Sequence, residues 1–268
     1  MKTKDKRVGI SLLVATLICA TIGIVCIAYA ITNGQFDGDQ HPYVGAVNNG
    51  VNMCSGALIS PKVFVTAAHC FFYDGEPVWV TFDSETDGPG PEPEVMYRGK
   101  WHPHPDFCFG CGSNEGLPGF DTHDVAVVVL NKKVKLSRYA QLPEEGLVDS
   151  QPMGTEVVVV GYGANSFYVG ESQPVPVSLY DRYFAITELI ADNHENSDEF
   201  IKLTANPSQG KGGDCYGDSG GPNLLSDTDT IIAITSYGAN PMCSGVGYSN
   251  RIDKTYALEF IEGFLQKK

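Results

Sequence analysis

The sequence predicts an all-β protein, built as antiparallel barrels or a sandwich and closed by one helix. Two observations carry that prediction. Short β-branched or aromatic runs follow one another along the chain, bounded by Gly, Pro, Asn or Asp. A helical pattern stands at the C-terminal end. The runs are "YVGAV", "SGALIS", "KVFVTAAH", "VWVTF", "DVAVVVL", "EVVVVGYG", "RYFAITELI", "EFIKLTA" and "TIIAITSYG". The helix, "DKTYALEFIEGFLQKK", takes Asp253 as its N-cap and places Tyr256, Phe260, Ile261 and Phe264 on one face.

A polar, turn-rich stretch over residues 136–154 separates two strand clusters and divides the body into 31–140 and 141–268. The segment "FDSETDGPGPEPE", residues 82–94, reads as an acidic loop. Its oxygens could meet calcium, but it lacks the order of an EF-hand.

Residues 1–30 read as a leader. "MKTKDKR" is basic, the run from Val8 to Ala30 is uncharged, and Ala28-Tyr29-Ala30 has the small residues of a cleavage site. The run exceeds the usual apolar region of roughly 7–15 residues and could span a bilayer, so a retained anchor stands beside a cleaved signal. Either way, residue 31 onward is expected outside the cytoplasm. Six cysteines lie beyond the leader, an even number suited to disulfides. The net charge of −14 repels phosphate backbones and argues against nucleic acid as a partner.

Three segments carry chemistry. In "GDCYGDSGGP", Gly213 to Pro222, glycines flank Ser219 on a tight turn and leave the N–H groups of Gly217 and Ser219 able to converge as an oxyanion hole. A serine hydroxyl needs a base, and His69 in "VTAAHC" offers one. Asp124 in "THDVAVVVL" could orient that histidine. Singly, each segment is more ordinarily a turn, a strand end or a cap. Together, in the order His, Asp, Ser, they point to nucleophilic catalysis.

"TAAHC", "DVAVVVL" and "GDSGGP" resemble the signature segments of the chymotrypsin/trypsin-like serine proteases. The likeness extends from "ITNG" at Ile31 through "GYG" at Gly161 and "SYG" at Ser236 to the terminal helix. The resemblance implies two antiparallel six-stranded β-barrels with the active site between them, and peptide hydrolysis through an acyl-enzyme. His69 would be the base, Asp124 its orienter, Ser219 the nucleophile, and Ser236 a support for the aspartate and for substrate backbone. It also implies bridges Cys54–Cys70 and Cys215–Cys243. Cys108 and Cys111 lie outside that pattern. They are expected to pair, with a zinc site shared with His102 and His104 as the alternative.

The resemblance implies further that a new N-terminal amine pairs with the aspartate before the nucleophile, here Asp218. Cleavage after Ala30 would free the Ile31 amine directly. The pocket position six residues before the nucleophile is Gly213, so specificity falls to Asp214, Gly238 and Val246. Asp214 favours a basic residue before the cut, with small apolar residues as the alternative. No cofactor or metal is implied. Partners are polypeptide substrates, a membrane only through a retained leader, and the chain is expected to be a monomer. A non-catalytic binding protein on the same fold is the competing reading. A lipase is disfavoured, because the Gly-x-Ser-x-Gly elbow is absent.

Overall fold

The structure is a computed structural model that describes residues 31–86, 95–111, 121–169, 174–178, 181–191, 198–238 and 240–266. The leader and most of the acidic loop at 82–94 lie outside the described residues. No helix among the described residues is long and apolar enough to cross a membrane.

Two closed barrels form the body. The strands are β1 (Gln35–Phe36), β2 (Val44–Asn48), β3 (Met53–Leu58), β4 (Val63–Thr66), β5 (Glu76–Thr81), β6 (Tyr97–Pro103) and β7 (Ala126–Leu130). They continue with β8 (Glu156–Gly161), β9 (Ala164–Val169), β10 (Pro174–Ser178), β11 (Tyr183–Ala191), β12 (Phe200–Ala205), β13 (Pro222–Leu225), β14 (Ile231–Gly238) and β15 (Gly245–Arg251). The first barrel closes in the order β2-β3-β4-β7-β6-β5. The second runs β11-β12-β15-β14-β13-β8, with β8 pairing back to β11. Strands β9 and β10 form a separate hairpin.

Local patterning explains which strands were easy to read. β4 is buried at every position and β7 at all but one, because one face fills the barrel and helix α1 (Thr255–Leu265) covers the other. β11 instead alternates between buried and exposed positions, as a barrel wall facing water does. Of the barrel strands, β6, β13 and β15 escaped the sequence reading, as did β1 and the β9–β10 pair outside the barrels. β6 carries Arg98 and Lys100 on its exposed face, β13 is four residues opened by Pro222, and β15 is built from glycines and polar residues.

The chain ends cross over. β1 adds to β11 of the second barrel although it precedes the first in sequence, and α1 packs on β4 and β7 of the first although it follows the second. Between the barrels lies Arg182, 1% exposed. Its guanidinium donates to the carbonyls of Gly38, Val44 and Phe82, to the Tyr162 hydroxyl, and to Asp37 Oδ2 at 2.7 Å.

One local expectation fails. Asp253 does not cap the helix; Lys254 holds the N-cap position without a side-chain bond. Asp253 turns inward, accepting from Val148 N–H at 2.8 Å and from the buried Arg251 Nε at 2.8 Å. A buried guanidinium without a carboxylate costs several kcal/mol, by a rough estimate, more than a cap contributes. Ile261 of the expected apolar face is buried and Tyr256, Phe260 and Phe264 pack beside it.

Candidate active site

The site is assembled by turns at the ends of strands from both barrels. Strand β4 runs into a short 3-10 turn, Ala68–Cys70, that carries His69 and is tied to β3 by the Cys54–Cys70 disulfide. Asp124 sits just ahead of β7, fully buried. Its Oδ1 accepts the N–H groups of Ala68 and His69 at 2.8 and 2.9 Å. Its Oδ2 accepts His69 Nδ1–H at 2.7 Å and the Ser236 hydroxyl at 2.5 Å. With Nδ1 donating, Nε2 is left as a lone pair for a proton.

Electrostatics follow from this cage. Burial opposes the charged form of Asp124, but the His69 charge and the donated hydrogen bonds outweigh it and hold the carboxyl below its usual range. Burial likewise opposes imidazolium at His69, and the Asp124 charge and hydrogen bond reverse that, raising the histidine above its usual value. Asp121 adds its charge nearby, and burial pushes its own carboxyl upward. Nothing in the sequence distinguished Asp121 from any other acid before a strand. His69, Asp121 and Asp124 are also one of the two groups of acids, cysteines and histidines among the described residues close enough to share a cation. The other contains the oxidised Cys54 and Cys70.

Ser219 lies on the turn before β13. Gly217 at φ +96° and Gly220 at φ +76° hold backbone that other residues rarely adopt, and a Cβ on Gly220 would meet Ala67 N at 2.6 Å. Glycine at 220 therefore lets the Ser219 turn press against the turn that carries His69. Ser55 fixes the join: its N–H donates to Ser219 O at 2.8 Å and its hydroxyl to Gly217 O at 2.9 Å. Among the described residues, the Gly217 and Ser219 N–H groups have no acceptor. Among the described residues, the His69 side chain bonds Asp124 and no hydrogen bond joins Ser219 Oγ to His69 Nε2; such contacts commonly tighten only with substrate bound.

Beside Ser219 opens a cavity of about 440 Å³, lined by Asp214, Cys215, Tyr216, Ser236, Tyr237 and Gly238 among others, and framed by the Cys215–Cys243 disulfide. Asp214 is partly buried in its wall, and burial pushes its carboxyl up to about 6. Its Oδ1 lies against Gly247, where a Cβ would stand 2.5 Å away. Gly213 and Val246, expected at the pocket floor, do not line this cavity. Gly213 is buried and a Cβ there would meet Ala205 Cβ at 2.4 Å, while Val246 faces a narrow crevice behind Asp214. Tyr216 and Tyr237 were missed, since exposed tyrosines carry no sequence signal of their own.

Asp218 is 1% exposed and accepts Gly163 N–H and Cys215 N–H, each at 2.8 Å. Burial drives its carboxyl up to about 8, with the Asp214 charge adding to the shift. Ile31 is fully buried in the second barrel's core, and Thr32 bridges Gly213. The Cys108–Cys111 pair is a disulfide, and the imidazoles beside it are engaged elsewhere, His102 with Asp74 and His104 with the Asp106 N–H.

A profile of the Trypsin family matches residues 31–258. The chain belongs to the trypsin family. The trypsin of Sarcophaga bullata is 29% identical over 222 residues, covering 78% of each chain. Trypsin theta of Drosophila melanogaster is 26% identical over 84% of this chain and 88% of its own length. Among solved structures, one titled HL collagenase superposes with a TM-score of 0.63 at 20% identity, covering 90% of this chain and 99% of its own. Human heparin binding protein superposes with a TM-score of 0.61 at 18% identity, covering 88% and 96%. At those identities the neighbours establish the fold of this trypsin-family chain. The family itself is one of serine proteases acting on polypeptides.

Proposed function

We propose that this protein is an exported serine endopeptidase working through an acyl-enzyme. The observation that carries the reading is the Asp124–His69 pair, with a fully buried carboxylate held by four hydrogen bonds and Ser219 lining the adjacent cavity. Ser219 Oγ attacks the scissile carbonyl carbon while His69 Nε2 takes its proton. The tetrahedral oxyanion is met by the Gly217 and Ser219 N–H groups. Collapse breaks the C–N bond, and the leaving amine takes the proton from His69. A water then gives His69 a proton and attacks the acyl carbon; collapse breaks the ester C–Oγ bond, Ser219 Oγ takes the proton back from His69, and the acid leaves. Because His69 is raised above its ordinary value, kcat/KM should fall as pH drops through a point above the usual imidazole range.

Asp214 supports selection of Lys or Arg before the cut, since a cation in the cavity relieves a carboxylate that burial holds at about 6. Freeing the Ile31 amine at the end of the leader would supply the positive charge that Asp218 lacks. Ile31 stands at φ +50°, which a β-branched residue seldom holds, and cutting the bond before it removes that constraint.

A binding role without turnover is the second reading, because the protein titled human heparin binding protein has the same fold. One experiment separates them. The Ile31-start protein is incubated with a mixed peptide library, and every cut is read by mass spectrometry beside a Ser219→Ala control. Cuts after Lys and Arg, absent from the control, are expected. Cuts after apolar residues would reassign Asp214, and no cuts at all would overturn the enzyme.

A further inference from the structure

Between the turn that carries Asp124 and helix α1 lies a cluster that the reaction above does not use. His104, just beyond β6, is 7% exposed, and its ring stacks on that of His123 with centroids 5.1 Å apart. Two α1 side chains close the stack, Tyr256 at 4.5 Å from His123 and Phe260 at 5.0 Å from His104. His123 Nδ1 is buried and makes no hydrogen bond. Glu199 Oε1 lies 3.7 Å from it, beyond hydrogen-bonding reach, while Glu199 Oε2 accepts the His123 backbone N–H at 2.9 Å.

The backbone here has little slack. His123 is at φ +52°, in the left-handed region. The Val125 N–H donates to His123 O at 2.8 Å, closing a three-residue turn whose middle member is Asp124. A force on the His123 ring is therefore passed to the carboxylate two bonds from the turn. We propose that His123 is a positioning residue for Asp124, and that the His104–His123 stack makes this positioning sensitive to protons. The inference rests on the reading of Asp124 as the group that orients His69.

The groups facing the stack set its response. Glu199 and Asp198 lie ahead of β12, Asp106 beside His104, Asp124 next in sequence, and the Tyr256 phenol donates to Asn250. His123 Nδ1 makes no hydrogen bond and Glu199 Oε1 stands 3.7 Å off, so the ring is held by its stack against His104 and Tyr256. A proton on His104 places an imidazolium 5.1 Å from the His123 ring, and its push bears on the turn that holds Asp124. Burial first, and then the His123 charge, hold His104 below its ordinary value, so it stays neutral until the solution is acid. The unfolded chain takes that proton first as pH falls, so the stack loses stability on acidification.

The test is the acid limb of log kcat/KM against pH, with a substrate carrying an uncharged residue before the cut so that Asp214 does not contribute. The wild type should begin with a slope of about one, from His69, and steepen toward about two, an added loss of roughly tenfold per pH unit. His123→Asn retains a residue that tolerates the left-handed backbone but removes the ring on which His104 bears, so its limb should keep a slope of about one. His104→Asn should do the same, whereas His123→Ala should lower kcat at every pH without steepening. A wild-type limb that never steepens before acid unfolding, or steepening that survives in His123→Asn, overturns the proposal. A second measurement needs no turnover. In the Ser219→Ala protein, imidazole NMR should show the His69 Nδ1 proton shifting in step with the titration of His104, and an indifferent His69 signal would sink the inference. Full hydrolysis by Ser219→Ala would instead count against the catalytic reading, leaving the NMR result to decide this one.

Discussion

Asp124, on the turn into β7 of the first barrel, and Asp218, on the turn before β13 of the second, are buried alike and live in opposite circumstances. Asp124 has four donors and an imidazole partner, and its carboxyl is held below the usual range. Asp218 has two backbone donors, no cation among the described residues, and a carboxyl pushed up to about 8. Burial is equal, so the difference lies in the company each keeps. A third aspartate, Asp37, shows the completed state without catalysis: it is buried against the Arg182 guanidinium and His41.

The comparison breaks most sharply at Asp124. Asp124→Asn cannot hold the Nδ1–H tautomer or stabilise imidazolium, and kcat should fall by about 10⁴-fold, read by steady-state kinetics on any cleaved peptide. The completed pair is tested next by Arg182→Met, which leaves Asp37 buried with only His41; unfolding in urea should show a loss of about 3–5 kcal/mol. A loss under about 1 kcal/mol would mean that the joint between the barrels does not depend on this charge.

Asp218 is tested by chemistry at Ile31. A protein with an acetylated Ile31 should have kcat/KM lower by about 10²–10³-fold than the free amine, the size of losing one oxyanion donor. Equal activity would remove the amine from the account. The smallest effect is a slope. In the acetylated protein Asp218 is raised in the folded state, so the stability it contributes is full below the ordinary value of 3.8 and is lost as pH rises toward about 8. The unfolding free energy from urea titrations should therefore fall across that range by up to roughly 1.4 kcal/mol per pH unit, and Asp218→Asn should flatten this part of the curve. Asp124 contributes with the opposite sign, its stability present above the usual carboxylate range and lost in acid.

Much of this was legible early where local chemistry and tertiary role coincide. "VTAAHC" and "GDSGGP" hold small residues and glycines because strand-end turns must approach closely, and that need shows in the letters themselves. β4 and β7 declared themselves because both of their faces are buried. β15 did not, since its residues serve a pocket wall, where Gly247 makes room for Asp214. Asp253 looked like a helix cap because nothing local reveals that Arg251 is buried and needs it. His123 passed for a spacer beside Asp124, and only the meeting of β6 with α1 put it in a stack.

The sequence by itself determined the β-rich class, the residue types for nucleophilic chemistry and the supply of cysteines, because each depends on short-range pattern. Tertiary structure alone decided which carboxylates are paired, that Gly213 is buried while Asp214 reaches the cavity, and that β1 joins the second barrel. Those outcomes depend on desolvation and on contacts between residues distant in sequence, such as His69 with Asp124, Asp37 with Arg182 and β1 with β11, which no short window of the chain contains.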